Sequence, residues 1–364
     1  MDKMGSVILS STVQYVLFIL LSARSTVNAL HGTTVSQCFS ECTCFQGAKF
    51  VNCTAAGLSA IPSEIPQDAE HVDFSNNNIT RIGPGTMTLL RRLHILVVRN
   101  SNVAHIAESA FQDLDNLRKL DLSGNRIKDL PNGFCHGLSE LTELKFTDNE
   151  IMNVSYAQFH CLGQLESLKL DSNMIAHVEA GAFRSLTRLR HMNLNNNYLE
   201  VLTDGMFSML QHLEVLELQN NSIATIEPTT FVSLRSLIIL DLSYNNMSDI
   251  TFKVFMNIDT QDTQIQLSHN PWACDCELQR VFNKLEQVRR LAIEDYGHVE
   301  CHWPPSLQNR TLASMDSQLC IAETATILII TITVAVAIVA AIVMAERNRK
   351  KRTGKHWTED NDMP

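Results

Sequence analysis

The chain has 364 residues and a formal net charge of −10, from 29 basic and 39 acidic residues. This acidic balance argues against nucleic acid as a partner, because phosphate polymers are bound by clustered Lys and Arg. Ten cysteines, an even number, favour an oxidising compartment and argue against a cytosolic enzyme.

The chain opens with the features of an export signal. Lys3 precedes an apolar run from Val13 to Leu21, and Val27 with Ala29 supplies the small residues that signal peptidase accepts. We therefore predict a signal peptide over residues 1–29. The segment that follows, residues 30–68, is rich in cysteine.

Residues 69–261 repeat with a period of 24. Each copy follows the pattern LxxLxLxxNxLxxL, and no single copy is long enough to bury its own leucines. The period and spacing resemble those of leucine-rich repeat proteins. This resemblance implies an α/β solenoid, a leucine-rich repeat horseshoe with a parallel sheet on its concave side. The eight copies begin at Ala69, Leu93, Leu117, Leu141, Leu165, Leu189, Leu213 and Leu237.

Two further columns recur inside the predicted solenoid. An asparagine follows each LxL strand, and its amide is suited to satisfy peptide groups at the buried turn. Ser101 interrupts this column, which should weaken the ladder there or let water complete it. A phenylalanine column, with Met87 and Cys135 as substitutes, should form an apolar spine on the far side.

Both ends of such a stack would expose apolar edges, and cysteine-rich segments flank it. Residues 30–68 contain CFSECTCFQGAKFVNC, and residues 262–322 contain NPWACDC. These strings resemble the caps of extracellular leucine-rich repeat proteins. The resemblance implies that Cys38 pairs with Cys44, Cys42 with Cys53, Cys274 with Cys301, and Cys276 with Cys320.

Cys135 and Cys161 lie in adjacent copies, outside the caps. Neighbouring coils are about 5 Å apart, so a modest shift would bring the two within disulfide reach. The alternative is a pair of buried free thiols.

A second apolar run lies near the other end of the chain. Ala325 to Ala345 contains no charge and would span about 31 Å as a helix, close to the thickness of a hydrocarbon core. We predict a single transmembrane helix over residues 323–345 and a short basic cytoplasmic tail over residues 346–364. The cluster from Arg347 to Lys355 predicts a type I protein of the plasma membrane, with its N-terminus outside the cell.

Strand residues that point away from the leucines would cover the concave side. That broad surface suits a protein partner better than a small substrate. Ile95 and Val97 would form an apolar spot, and Lys145 and Lys169 two adjacent positive positions in an acidic chain. The candidate ligand contacts are His71, Ile95, Val97, Arg99, Lys119, Glu143, Lys145, Lys169, Asp171, His191, Asn193, Val215, Glu217, Ile239 and Tyr244.

Candidate glycosylation sites follow the Asn-x-Ser/Thr pattern, and a bulky glycan would exclude protein contacts nearby. They are Asn52, Asn78, Asn153, Asn220, Asn246 and Asn309. No catalytic motif is recognisable, since the chain has no glycine-rich phosphate loop, no GxSxG and no HExxH. We therefore expect neither enzyme activity nor a cofactor or resident metal.

The chain resembles cell-surface members of the family: neuronal adhesion proteins and synaptic organisers, the Nogo receptor, the ectodomains of Toll-like receptors and the variable lymphocyte receptors. The resemblance implies a receptor for recognition or adhesion, with a role in cell adhesion or immunity, that binds an extracellular protein or a microbial or cell-surface ligand. The chain lacks a Toll-type signalling domain, so signalling would require a membrane co-receptor. The alternative is an auxiliary, gamma-type subunit that modulates an ion channel through its span and basic tail.

Overall fold

The structure is a computed structural model that describes residues 36–39, 41–45, 47, 49–315 and 317–359. The predicted signal peptide, the side chain of Cys38 and the end of the predicted tail lie outside the described parts. The chain divides into two units, one ending at Asn309 and the other beginning at Arg310.

The first unit is built from short strands. In chain order they are β1 (Ser36–Phe39), β2 (Cys42–Phe45), β3 (Phe50–Asn52), β4 (His71–Asp73), β5 (Arg81–Ile82), β6 (Ile95–Val97), β7 (His105–Ile106), β8 (Lys119–Asp121), β9 (Glu143–Lys145), β10 (Asn153–Val154), β11 (Ser167–Lys169), β12 (His177–Val178), β13 (His191–Asn193), β14 (Val201–Leu202), β15 (Val215–Glu217), β16 (Thr225–Ile226), β17 (Ile239–Asp241), β18 (Thr263–Gln266), β19 (Trp272–Ala273), β20 (Leu291–Ile293) and β21 (Cys301–Trp303).

Helices are few in this unit. They are α1 (Tyr156–Phe159), α2 (Lys253–Met256) and α3 (Cys276–Gln287), with a short 3₁₀ helix at Tyr296–His298. Asp275 caps α3, because its side chain accepts a hydrogen bond from the Leu278 amide.

One sheet of thirteen strands, called the main sheet below, runs through the unit in the order β1-β2-β3-β4-β6-β8-β9-β11-β13-β15-β17-β18-β20. It is antiparallel from β1 to β3 and parallel from β3 onward. Equivalent residues of successive repeats pair, as Leu120 does with Leu144. The fold is therefore the leucine-rich repeat solenoid that the 24-residue period predicts, with about ten turns.

The apolar columns form one continuous core. Met87, Cys135 and Phe159 of the spine are fully or almost fully buried, like the repeat leucines. Phe134, which the sequence pattern did not single out, is also buried, and its ring lies 5.5 Å from those of Phe111 and Phe146. An aromatic ring thus fills the core beside Cys135, where the spine has no phenylalanine.

The asparagine column is a hydrogen-bonded ladder between coils. The side-chain amide of Asn149 donates to the carbonyl oxygens of Leu122 and Phe146, each at 3.0 Å, and its oxygen accepts from the Ile127 amide at 3.1 Å. The sequence predicts a weaker or water-completed ladder at Ser101, but the structure has direct hydrogen bonds there. The buried hydroxyl of Ser101 donates to the Phe74 oxygen at 2.9 Å and accepts from the Asn77 amide at 3.2 Å, so a shorter side chain continues the ladder directly.

The residue before each ladder position adopts a left-handed backbone. Asn76, Asp148 and Asn220 are examples, with φ between 54° and 59°. Gly124 holds this position in the third copy, and a Cβ there would lie 1.9 Å from the Asn100 side-chain oxygen. Glycine is required at this position by close packing as well as by its backbone conformation.

The second unit consists mainly of α4 (Ser317–Glu359), preceded by a short 3₁₀ helix at Leu312–Ser314. Its segment Thr326–Arg349 contains an 18-residue window with a mean hydropathy of 3.1, and it is long and apolar enough to cross a membrane. The predicted span over residues 323–345 overlaps this segment.

Candidate protein-binding surface

Strand pairing arranges the outward side chains of the main sheet in two rows. The first row is Phe45, Phe50, His71, Ile95, Lys119, Glu143, Ser167, His191, Val215, Ile239, Gln264 and Ala292. The second row is Thr43, Asn52, Asp73, Val97, Asp121, Lys145, Lys169, Asn193, Glu217, Asp241 and Gln266.

The structure brings the predicted ligand contacts together on this surface. Twelve of the candidates lie in the two rows. Arg99 and Asp171 follow their strands by two residues, and Tyr244 follows β17 by three. Val97 does not match the expected apolar spot, because only 9% of it is exposed.

Four residues at the N-terminal end of the first row form a feature that we call the aromatic row: Phe45, Phe50, His71 and Ile95. The Phe45 and Phe50 rings lie 5.4 Å apart, and the Phe50 and His71 rings 4.5 Å apart. All four side chains are partly exposed. The repeat period could not reveal the two phenylalanines, because they lie in the cap, where no period exists.

The charges next to the aromatic row pair with one another. Lys119 and Lys145 hold the two carboxylate oxygens of Glu143 at 3.0 and 2.5 Å. Burial raises the pKa of Glu143, but hydrogen bonds from the two lysines outweigh that effect and hold the pKa below its ordinary value. Since residues 24 apart become cross-strand neighbours, the pairing of Lys119 with Glu143 was readable from the sequence.

Arg99 and Asp121 form a second pair. The Arg99 Nε donates to the Asp121 Oδ2 at 2.8 Å, and the Asp121 carboxylate is fully buried. Burial raises the pKa of Asp121, whereas hydrogen bonds from Arg99 and Ser123 lower it more, so the pKa ends below its ordinary value. Arg99, one of the predicted ligand contacts, therefore already pairs with a residue of the main sheet.

The C-terminal half of the sheet has a different electrostatic character. Asp171, Glu217 and Asp241, called the acidic end below, make no ion pair within the part of the chain that the structure describes. Burial, together with Asp241 and Asp171, raises the pKa of Glu217, and Lys169 and His191 only partly oppose this. Of the two predicted lysines, Lys169 is exposed and Lys145 lies in the pair with Glu143.

Tyr244 marks the last repeat of this surface. Its ring stacks on that of His269 at 3.9 Å with an interplanar angle of 6°, and about half of the tyrosine is exposed. Both residues have positive φ, which is unusual for bulky side chains. The stacked pair gives the C-terminal end a flat aromatic surface, and Tyr244 follows Ile239 by five residues in the same repeat.

Disulfides join Cys42 with Cys53, Cys274 with Cys301, and Cys135 with Cys161. The first two are pairs that the resemblance implies, and the third is one of the two states considered for adjacent copies. Cys44, Cys276 and Cys320 are also disulfide-bonded. His160 lies near Cys135 and Cys161, with ligand atoms within 4.8 Å, but the bond between the two sulfurs removes the thiolates that a metal would need.

The predicted glycosylation asparagines differ in their position relative to the sheet. Asn78, Asn153, Asn220, Asn246 and Asn309 are exposed, and Asn52 is half-buried. Asn52 stands in the second row of the main sheet, two residues after Phe50. A glycan on Asn52 would therefore border the aromatic row.

Comparisons with known proteins give one family. The leucine rich repeat model matches residues 91–151, 115–175, 163–223 and 211–271. Rat decorin is 36% identical over 63 residues, a segment that spans 17% of this chain and 17% of decorin.

Two solved structures are similar over most of the chain. Human 5T4, also called Wnt-activated inhibitory factor 1 or trophoblast glycoprotein, aligns with a TM-score of 0.57 and 23% identity over 78% of this chain and 99% of its own. A chain of the octameric complex of Latrophilin 3 (Lec, Olf), Unc5D (Ig, Ig2, TSP1) and FLRT2 (LRR) aligns with a TM-score of 0.60 and 24% identity, over 77% of this chain and 98% of its own. At these identities the two structures establish the fold. From the repeats that the family model matches and from its fold, the chain belongs to the leucine-rich repeat proteins.

Proposed function

We propose that this protein is a recognition or adhesion receptor of the plasma membrane, which binds a protein ligand outside the cell through the outward face of its main sheet. It acts by binding and not by catalysis. Any signal passes through a membrane co-receptor.

The observation that carries this proposal is the main sheet itself. Thirteen strands at about 4.8 Å each present a surface roughly 60 Å long. Its two rows combine aromatic, aliphatic and charged side chains, a mixture suited to the contacts of a protein interface. A surface of this length is far larger than a small substrate needs.

The relatives support the same class of function. The complex that contains FLRT2 also contains Latrophilin 3 and Unc5D, so a similar fold assembles there with other proteins. The apolar segment Thr326–Arg349 supports membrane anchoring. The predicted signal peptide and the basic residues after the span support an extracellular main sheet.

A matched pair of charge reversals tests the proposal. Lys119 and Lys128 lie nine residues apart, and each pairs with a glutamate of the next repeat, but Lys119 is in the sheet and Lys128 is not. The full chain in lipid nanodiscs is used to stain a panel of cells. We expect Lys119→Glu to weaken staining by about tenfold, as loss of a central interface contact does, and Lys128→Glu to leave it unchanged.

Equal staining by both variants and the unchanged chain would contradict the proposal. The alternative, a channel subunit acting through its span and tail, predicts that result, and it also predicts altered channel gating by a chimera that carries only residues 323–364. Folding of both variants is checked by circular dichroism.

A further inference from the structure

We infer that the main sheet binds a protein segment that is apolar at one end and basic at the other, with its apolar end on the aromatic row. This specificity presupposes that the sheet is the binding surface, as proposed above. The inference identifies the partner by the chemistry of its two ends and gives the direction in which the partner crosses the strands.

The aromatic row provides a continuous apolar contact across four strands. Phe45, Phe50, His71 and Ile95 are neighbours in register, with ring distances of 5.4 and 4.5 Å at the aromatic contacts. Burial lowers the pKa of His71, Asp73 opposes this and Lys119 adds to it, and the lowered pKa favours the neutral imidazole. Aromatic side chains contribute much of the binding energy in protein interfaces.

The surroundings of this row favour an uncharged partner. Lys119 and Lys145 are held by Glu143, and Arg99 by the buried Asp121. Covering these paired charges leaves no isolated lysine or arginine in the interface, so an apolar side chain can dock here at a smaller desolvation cost than over the acidic end. Asp73 also has no ion pair among the described residues, but it is half-buried, its Oδ1 accepts a hydrogen bond from the Ser75 amide at 2.8 Å, and it is a single such carboxylate, whereas the acidic end has three.

The acidic end imposes the opposite requirement. Asp171, Glu217 and Asp241 lack ion-pair partners among the described residues, and Lys169 is the exposed cation of the second row beside them. An apolar partner here would strip water from unpaired carboxylates. A Lys or Arg of the partner would instead form ion pairs with them. Burial, and after it Asp241 and Asp171, raise the pKa of Glu217, and a cation of the partner would oppose that rise.

The distance between the two ends fixes the length of the segment. Ile95 is in β6 and Glu217 in β15, and four strands of the main sheet, β8, β9, β11 and β13, lie between them. Five steps of about 4.8 Å give about 24 Å, which an extended chain covers in about seven residues at about 3.4 Å each. The apolar and basic side chains of the partner should therefore be about seven residues apart.

A library of random peptides of about twelve residues, displayed on phage, serves as the probe. It is selected on the full chain in nanodiscs at neutral pH, with Asn52→Gln throughout so that no glycan borders the aromatic row. We expect enriched peptides to carry an aromatic or aliphatic residue about seven positions from an Arg or Lys. The affinity of one such synthetic peptide should fall about tenfold in Ile95→Ser and in Glu217→Lys, as at interface hot spots.

Matched controls lie outside the sheet. Met174 is an exposed apolar residue and Glu200 an exposed acid, and neither belongs to a strand of the main sheet. Met174→Ser and Glu200→Lys should change the affinity less than twofold. Phe45→Ser replaces Ile95→Ser if the latter fails to fold by circular dichroism.

Several results would overturn the inference. Enrichment of acidic peptides, no enrichment over the Ile95→Ser, Glu217→Lys double variant, or equal effects of sheet and control substitutions would each do so. If cell staining is lost in Lys119→Glu but is insensitive to Ile95→Ser and Glu217→Lys, the proposed function stands and this specificity is wrong.

Discussion

Asn173 and Lys169 are four residues apart in one repeat, yet different interactions determine which residue type each position holds. The Asn173 amide donates to the oxygens of Phe146 and Leu170 at 2.9 and 3.0 Å, and its oxygen accepts from the Ile151 amide at 3.1 Å. Lys169 points into solvent in the second row of the main sheet. The ladder position is dictated by backbone groups present in every coil, so it repeats. At the row position a side chain can accept from the amide two residues later, as Asp73 and Asn193 do, but Lys169 cannot, so the residue type varies from coil to coil.

This difference separates stability from recognition within each repeat. Substitutions in the inner columns should cost folding free energy, and substitutions of exposed row residues should change binding with little effect on stability. The spine and ladder variants below are each compared with a row variant. All stabilities refer to chemical denaturation of the full chain followed by far-UV circular dichroism.

The largest effect is expected at the spine. Phe183 is fully buried, and its ring lies 6.0 Å from that of Phe159. Phe183→Ala should lower the free energy of unfolding by about 4 kcal/mol, because it leaves a cavity between coils. Lys169→Ala in the same repeat should change it by less than about 0.5 kcal/mol. Equal effects would mean that the spine is not a packed core.

The disulfide between adjacent repeats comes next. Cys135 and Cys161 close a loop with a sequence separation of 26. Replacing both by serine should cost about 3 kcal/mol, because the unfolded chain gains freedom. Non-reducing peptide mapping of the unchanged chain checks the bond itself. Detection of two free thiols by alkylation would contradict it.

The ladder should show a smaller but specific effect. Asn173→Ala leaves the Ile151 amide without its acceptor in a buried site, and should cost about 2 kcal/mol. Asn193→Ala is the matched control, since Asn193 lies in the second row and, among the described residues, its oxygen accepts from the nearby Asn195 amide alone, at 2.9 Å. If both variants unfold at the same denaturant concentration as the unchanged chain, the ladder does not stabilise the solenoid.

Glu217 should give the smallest effect, and one that depends on pH. Its folded pKa is raised, so its contribution to stability is present at low pH and is lost as the pH rises through that value. Glu217→Gln should therefore stabilise the chain at pH 7, by up to about 0.5 kcal/mol, and the gain should vanish below about pH 4. A loss of stability at pH 7 would show that a partner group already compensates the carboxylate.

The sequence predicts the inner columns well because each position is repeated and the repeat has a physical cause. Leu120 and Leu144 pair as the 24-residue period requires. Ser101 shows a limit, since only the structure reveals that a hydroxyl can reach both coils.

The sequence predicts which residues lie on the outward surface, but not which of them are exposed or how their charges pair. The strand pattern predicts an exposed Val97, but the structure buries it. Val97 pairs with Asp121 on the next strand, and the Arg99 side chain, two residues after Val97, donates a hydrogen bond to Asp121. Phe45 and Phe50 were missed because the cap has no period to indicate which residues face outward. Tertiary contacts between residues of different repeats decide exposure and charge pairing, and a single repeat does not contain them.

A glycan used as a steric block tests most directly whether the outward face of the main sheet binds the ligand. His191→Asn with Asn193→Thr creates a glycosylation site within β13, and Val201→Asn creates one with Thr203 in β14, outside the main sheet. With occupancy of both sites verified by mass spectrometry, cell staining by the full chain should fall more than about tenfold with the glycan in β13 and stay unchanged with the glycan in β14. Undiminished staining with the glycan in β13 would contradict the account.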